Sequence, residues 1–209
     1  TVADAFVAAE TLALSMLPQW QCRAGDHLPL YDVAVLRCLP LRVDGVKEER
    51  QGAGGLFSFI HKTMQEFFIA RALLEAARRG DDGPWKRFGR AALQQASLVH
   101  EFGVLRLMGN YLCRVDDVDK REAVAQGLLE VVRRSCRRGD GQDGEAHCLP
   151  AASLALGALV AGRVPLQGQD LSQVQVPDAY LRGIDAQNIS FRGAQMQRCV
   201  LEDADLRNA

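Results

Sequence analysis

The stretch VPLQGQDLSQVQVPDAYLRGIDAQNISFRGAQMQRCVLEDADLRN, residues 164–208, decides the fold of the C-terminal part of the chain. Cut into consecutive groups of five, it gives nine units, and the first residue is apolar or small in every unit except that of Gln169. The third residue is apolar in all nine units: Leu166, Leu171, Val176, Leu181, Ala186, Phe191, Met196, Leu201 and Leu206. A period of five fits neither the helical turn of about 3.6 residues nor the two-residue alternation of a strand. The pattern therefore predicts a repeat with two core-facing positions in every unit.

This pattern resembles the pentapeptide-repeat family, whose units follow A-(D/N)-L-x-x. The resemblance implies a right-handed quadrilateral β-helix, in which one unit forms each side and successive coils stack about 4.8 Å apart. Nine units make a little over two coils, which bury little apolar surface. We therefore expect the full-length protein to continue this solenoid or to cap it.

A second informative stretch is GLFSFIHKTMQEFFIARALL, residues 55–74. The alternation of Phe57 and Phe59 with polar residues predicts a short strand that ends near Ile60. From Lys62 onward, apolar residues recur at helical spacing and predict a buried helix. The apolar residues of this helix are Met64, Phe67, Phe68, Leu73 and Leu74. His61 lies between the two elements, beside the N–H groups of a helix start, where anions bind favourably, although spacing alone favours a packed or capping histidine.

Residues 59–73, FIHKTMQEFFIARAL, resemble the F-I-H-K-S-F-Q-E-Y/F-F signature of NACHT-type STAND NTPases. Thr63, Met64 and Ile69 are mild departures from it. The resemblance implies that residues 1–80 are the end of a winged-helix-like region. It also implies that His61 is a nucleotide-binding residue, which reaches the β-phosphate of ADP and holds the protein in its closed state. We expect ADP or ATP with Mg to bind the full-length parent, whose upstream NTPase domain would be a partner within the same chain.

Residues 81–163 are predicted to form a helical spacer. The sequence RRGDDGP, residues 78–84, ends the preceding helix. Two short helices are predicted between Trp85 and Leu112, a longer one from Val118 to Arg138, and another from about Pro150 to Val160. With the repeats at residues 164–209, truncated at the last residue, the fold class is α+β: a mostly helical N-terminal region followed by the β-helix.

Composition excludes several kinds of function. The net charge of −1 offers no basic surplus for nucleic acid or an anionic membrane, and the longest apolar run is too short to cross a bilayer. The chain has no Walker A loop, no GxSxG elbow and no HExxH helix, so we expect no enzyme and no cofactor in this part of the protein. The six cysteines form no CxxC pair, which favours a reducing cytoplasm. The chain begins at Thr1 rather than Met and ends inside a repeat, so we expect it to be a fragment.

These observations favour a regulatory and interaction part of a nucleotide-switched signalling NTPase, in which the β-helix is a platform for protein partners. One alternative is a pentapeptide-repeat protein that inhibits by mimicking DNA. Mimicry needs a long acidic rod, whereas residues 164–208 carry six acids and four arginines. Another alternative is a scaffold without nucleotide switching. The sequence upstream of Thr1 would decide whether this alternative is correct, because a missing phosphate loop there would confirm it.

Overall fold

The computed structural model describes residues 9–10, 13–14, 22–23, 41–44, 56–94, 102–136 and 148–209, of which 22–23, 41–44 and 56–58 are described by their backbone alone. The chain divides into two compact units, Thr1–Ala72 and Leu73–Ala209. The predicted division at residues 80 and 163 stays a prediction.

The first unit contains a three-stranded antiparallel sheet of β1 (Cys22–Arg23), β2 (Leu41–Asp44) and β3 (Leu56–Phe59). β3 lies between the other two strands. Leu41 is opposite Phe59 and Asp44 is opposite Leu56, so β2 and β3 form an antiparallel pair. β1 contains only two residues, which are too few to show an alternating pattern in the sequence. The winged helix stays a prediction, since most of residues 1–55 lie outside the described ranges.

The helix α1 (Lys62–Arg79) follows β3 at the predicted place. Phe59 and Phe68 are buried, and their ring centroids lie 5.7 Å apart. The prediction of a core position is wrong for Met64 and Phe67, which are 37% and 39% exposed. Gln65 is buried instead, and its amide lies 3.5 Å from the carbonyl oxygen of Ala13. The buried face of the helix is therefore rotated from the face that apolar residues alone suggested.

The second unit contains a helical region, as predicted. Its helices are α2 (Gly83–Gln94), α3 (Phe102–Arg114), α4 (Val118–Arg133) and α5 (Cys148–Ala161). α5 is buried on all sides from Pro150 to Leu159, because it packs against the other three helices. A helix that is apolar all round needs such an enclosed position. α4 begins at a cap, where the Asp117 carboxylate accepts from the N–H of Lys120 at 3.0 Å.

In the repeat segment, backbone bridges join residues that are twenty positions apart in the chain. Parallel bridges join Asp170 to Ser190, Gln175 to Gln195, Tyr180 to Val200, and Asp185 to Asp205. Residues 169–188 and 189–208 therefore form two successive coils, each of four units. Within residues 164–209 the pairing consists of these isolated bridges rather than of longer strands. The β-helix as a strand architecture stays a prediction.

Each five-residue unit of the repeat ends in a tight turn. The N–H of Ile184 donates to the carbonyl oxygen of Leu181 at 3.1 Å, and Gly183 between them has a φ of 70°. A positive φ at the third position of a turn is typical of a type II turn, which favours glycine. Six other units place a non-glycine residue there with positive φ: Gln173, Asp178, Asn188, Arg198, Asp203 and Asn208.

The predicted inward positions form the core of the first coil and of the five-residue unit before it. The first five third-position residues, from Leu166 to Ala186, are at most 2% exposed. Burial then decreases along the second coil, where Phe191 and Met196 are half-buried. Leu201 and Leu206 are 37% and 45% exposed, so the prediction of a core position does not hold for these two. Among the described residues, the second coil has another coil on one side only, which leaves these two side chains partly exposed.

Candidate interaction surface and the position of His61

The second residue of each five-residue unit is at least partly exposed on the outside of the coils, except Gln175, which is 6% exposed, and the bridges stack these residues in pairs. Three of the four pairs are polar: Asp170 with Ser190, Gln175 with Gln195, and Asp185 with Asp205. The fourth pair joins Tyr180 and Val200, which are the only large apolar residues among the outward positions. One side of the coils thus differs chemically from the others.

We call this apolar side the Tyr180 side, formed by Tyr180, Val200 and the neighbouring Phe102. The ring of Phe102 meets that of Tyr180 edge to face, with centroids 5.2 Å apart. Phe102 is 57% exposed, whereas Tyr180 and Val200 are half-buried. Phe102 belongs to α3, so the helical region and the repeats both contribute to this surface. The sequence pattern of the repeats gave no signal for Phe102.

Ion pairs lie at both edges of the Tyr180 side. The guanidinium of Arg198 binds both carboxylate oxygens of Asp178 at 2.6 Å. Arg182 lies 3.6 Å from Glu202 and 3.3 Å from Asp203. Hydrogen bonds to Tyr180 and Asp203 raise the pKa of Arg182, and the hydrogen bond to Asp178 raises that of Arg198. Both arginines therefore remain charged, and the edges of the surface hold charges that largely neutralise one another.

A polar ladder covers the side formed by Asp185 and Asp205. The amide of Gln167 donates to Asp185 at 2.7 Å, and that of Gln187 donates to Asp205 at 2.9 Å. Arg207 binds Asp205 as well, and these hydrogen bonds lower the pKa of Asp205 to about 2. Because four of the six acids in residues 164–208 have an arginine partner, the coils present little free negative charge. This weighs against mimicry of DNA.

His61 lies on the surface of the first unit, between β3 and α1. Its side chain is exposed, and its carbonyl oxygen accepts from the N–H of Met64 at 3.0 Å in the first turn of the helix. This is the strand-to-helix position that the sequence predicted. The role of His61 in binding a nucleotide stays a prediction.

No reactive group or metal site stands out in the described parts of the chain. Among those residues, no group of three or more His, Cys, Asp or Glu side chains is placed to hold a metal ion. Burial raises the pKa of the thiols of Cys136 and Cys199, which keeps them protonated at neutral pH. A pocket of about 30 Å³ beside Trp85 and Cys148 has room for a water molecule but not for a nucleotide. In the same described ranges, every helix is too short or too polar to cross a bilayer.

Comparison with known proteins supports the repeat. A family model described as Pentapeptide repeats (8 copies) matches residues 178–209. No curated protein and no solved structure matches the chain significantly. The comparisons give no evidence for a NACHT-type NTPase or for a winged helix. The chain therefore carries pentapeptide repeats behind a helical region, and such repeats are compatible with a role in protein interaction.

Proposed function

We propose that the repeats form a right-handed quadrilateral β-helix, which serves as a rigid platform for binding other proteins. The observation that carries this proposal is the constant separation of twenty residues between bridged partners. Four units of five residues then complete one coil, as a four-sided solenoid requires. Stacked coils hold their outer side chains in fixed rows, which is the property that a binding platform needs.

The Tyr180 side is the part of this platform that we propose contacts a protein partner. Exposed aromatic and aliphatic groups with charged residues around them are typical of protein interfaces. The polar ladder at Asp185 and Asp205 lacks such groups. A partner bound there would bury Phe102, Tyr180 and Val200 together.

Substitution on two outer positions tests the platform. We expect Val200→Arg to abolish cross-linking to protein partners in cells, because a buried charge in an apolar interface is costly. Gln197→Arg, at an exposed position on a neighbouring side, serves as the matched control. Circular dichroism verifies that both variants fold. Partners that cross-link equally to the parent and to both variants would rule out the Tyr180 side as the interface.

We further propose that the chain is the regulatory part of a NACHT-type STAND NTPase, with ADP or ATP and Mg bound mainly by an upstream domain. The support is the motif FIHKTMQEFF, residues 59–68, together with the exposed position of His61 beside a helix start. A histidine that donates to the β-phosphate gives ADP a higher affinity for the closed state. A ligand shifts a conformational equilibrium only by such a difference in affinity.

The test of this second proposal is His61→Ala in the full-length protein. We expect less retained ADP and more basal assembly, whereas Thr63→Ala, at an exposed neighbouring position, changes neither. The chain of residues 1–209 alone should bind no nucleotide measurably, because a single contact is a small part of a phosphate site. ADP retention and assembly that are both unchanged in His61→Ala would refute the proposal.

A further inference from the structure

Two buried serines of the helical region contact the backbone of the first coil. Ser135, two residues after the end of α4, is fully buried, and its Oγ accepts from the N–H of Gln175 at 3.0 Å. The same hydroxyl donates to the carbonyl oxygen of Val132 at 2.6 Å. Both hydrogen-bonding functions of this hydroxyl are thus used, and the bonds form a chain from the coil to the end of α4.

Ser153 of α5 makes the second contact. Its side chain is 1% exposed, and its Oγ lies 2.6 Å from the carbonyl oxygen of Pro177. The carbonyl oxygen of Leu149, one helical turn earlier, lies 2.9 Å from the same Oγ. A serine within a helix commonly bonds to the preceding turn, so the shorter distance to Pro177 marks a specific contact with the coil.

The second coil shows what these backbone groups do elsewhere in the repeat. Gln195 and Gln197 follow Gln175 and Pro177 by twenty residues. The N–H of Gln195 donates to the carbonyl oxygen of Val174 at 2.8 Å, and the carbonyl oxygen of Gln197 accepts from the N–H of Asp178 at 2.8 Å. In the second coil, therefore, the preceding coil supplies the acceptor and the donor. In the first coil, Ser135 supplies the acceptor for the N–H of Gln175, and Ser153 supplies the donor for the carbonyl oxygen of Pro177.

We propose that Ser135 and Ser153 are the end cap of the repeat, in which two hydroxyls replace the backbone groups of a preceding coil. Buried backbone groups without a partner are costly, and an open edge of this kind can pair with another chain. The cap satisfies one N–H and one C=O at this edge. It also fixes the register between the helices and the coils, so that α4, α5 and the first coil unfold as one cooperative unit. Ser135 and Ser153 act here as positioning residues.

Hydrogen exchange of single amides tests this cap in the whole chain. We expect Ser135→Ala to increase exchange of the Gln175 amide about tenfold or more, because the amide loses its buried acceptor. The Gln195 amide, which is bonded to Val174, should change much less. Ser135→Thr, which keeps the hydroxyl, should restore protection of Gln175. This rescue separates the hydrogen bond from a general loss of packing.

Ser172→Ala is the matched control, because Ser172 lies in the first coil and its hydroxyl bonds to that of Ser190 instead of to the helices. If Ser135→Ala does not fold, Ser153→Cys is used, since a thiol is a weak donor of similar shape. Faster unfolding of the first coil than of α5 in Ser153→Cys, against simultaneous unfolding in the parent, would support the cap. Equal protection of Gln175 in Ser135→Ala and Ser172→Ala, or unchanged joint unfolding in Ser153→Cys, would overturn it.

Discussion

Gly109 of α3 lies against Ala161 of α5 with no room for a side chain. A Cβ on residue 109 would stand 2.7 Å from the Cβ of Ala161 and 3.0 Å from its carbonyl carbon. Gly127 of α4 is placed similarly, since a Cβ there would collide with the backbone of Ala77. The helices of the second unit therefore cross at positions where only hydrogen fits. These glycines serve close packing rather than flexibility.

Gly109→Ala should lower the free energy of unfolding by about 1–3 kcal/mol, because the added methyl group forces the helices apart. Alanine favours the helix over glycine by about 1 kcal/mol, so the packing penalty must exceed this gain. Urea unfolding monitored by circular dichroism measures the difference. Asn110→Ala, on the exposed face of the same helix, is the control and should change stability by less than about 0.5 kcal/mol. A Gly109→Ala variant as stable as this control would contradict the close approach.

Gly183→Ala should destabilise the repeat by about 1 kcal/mol through its backbone alone. The φ of Gly183 is 70°, and a Cβ there meets no atom within 4 Å, so crowding plays no part. Gly183→Asn should cost less, because asparagine enters the left-handed region more readily than alanine. Thermal unfolding of both variants shows which of them is the less stable. A cost for asparagine that equals or exceeds that for alanine would show that strain at φ is not the cause.

Asp205 should titrate well below an ordinary aspartate. Hydrogen bonds from Arg207 lower the pKa of its carboxyl from 3.8 to about 2. The pKa of Asp205 is lower in the folded than in the unfolded state. The ionised Asp205 carboxylate therefore stabilises the fold fully above about pH 4, and this stabilisation is lost as the pH falls toward 2. Carboxyl titration by NMR measures this pKa directly. Arg207→Gln should move it back toward 3.8, whereas Arg192→Gln, at the same position in another unit, should leave it unchanged.

The sequence predicted the parts of the fold in which short-range spacing and burial coincide. The period of five identified the inner residues of the first coil, and the change of spacing at Lys62 identified the start of α1. It did not predict that Gln65 is buried while Met64 is exposed, because the buried face depends on contacts distant in the chain. Nor did it indicate Ser135 and Ser153, since a serine in or near a helix gives no sign of a partner about forty or twenty residues away.

Two leucines at the same repeat position should differ sharply when they are shortened. Leu171 is 1% exposed in the first coil, whereas Leu206 is 45% exposed in the second. Leu171→Ala should cost about 2–5 kcal/mol, because it removes buried apolar surface and leaves a cavity. Leu206→Ala should cost less than about 1 kcal/mol, because its side chain keeps much of its contact with water. Urea unfolding of the two variants measures both values in the same chain. If the two losses were equal, residue 206 would have to be as well covered in solution as residue 171, and the decrease in burial along the coils would be wrong.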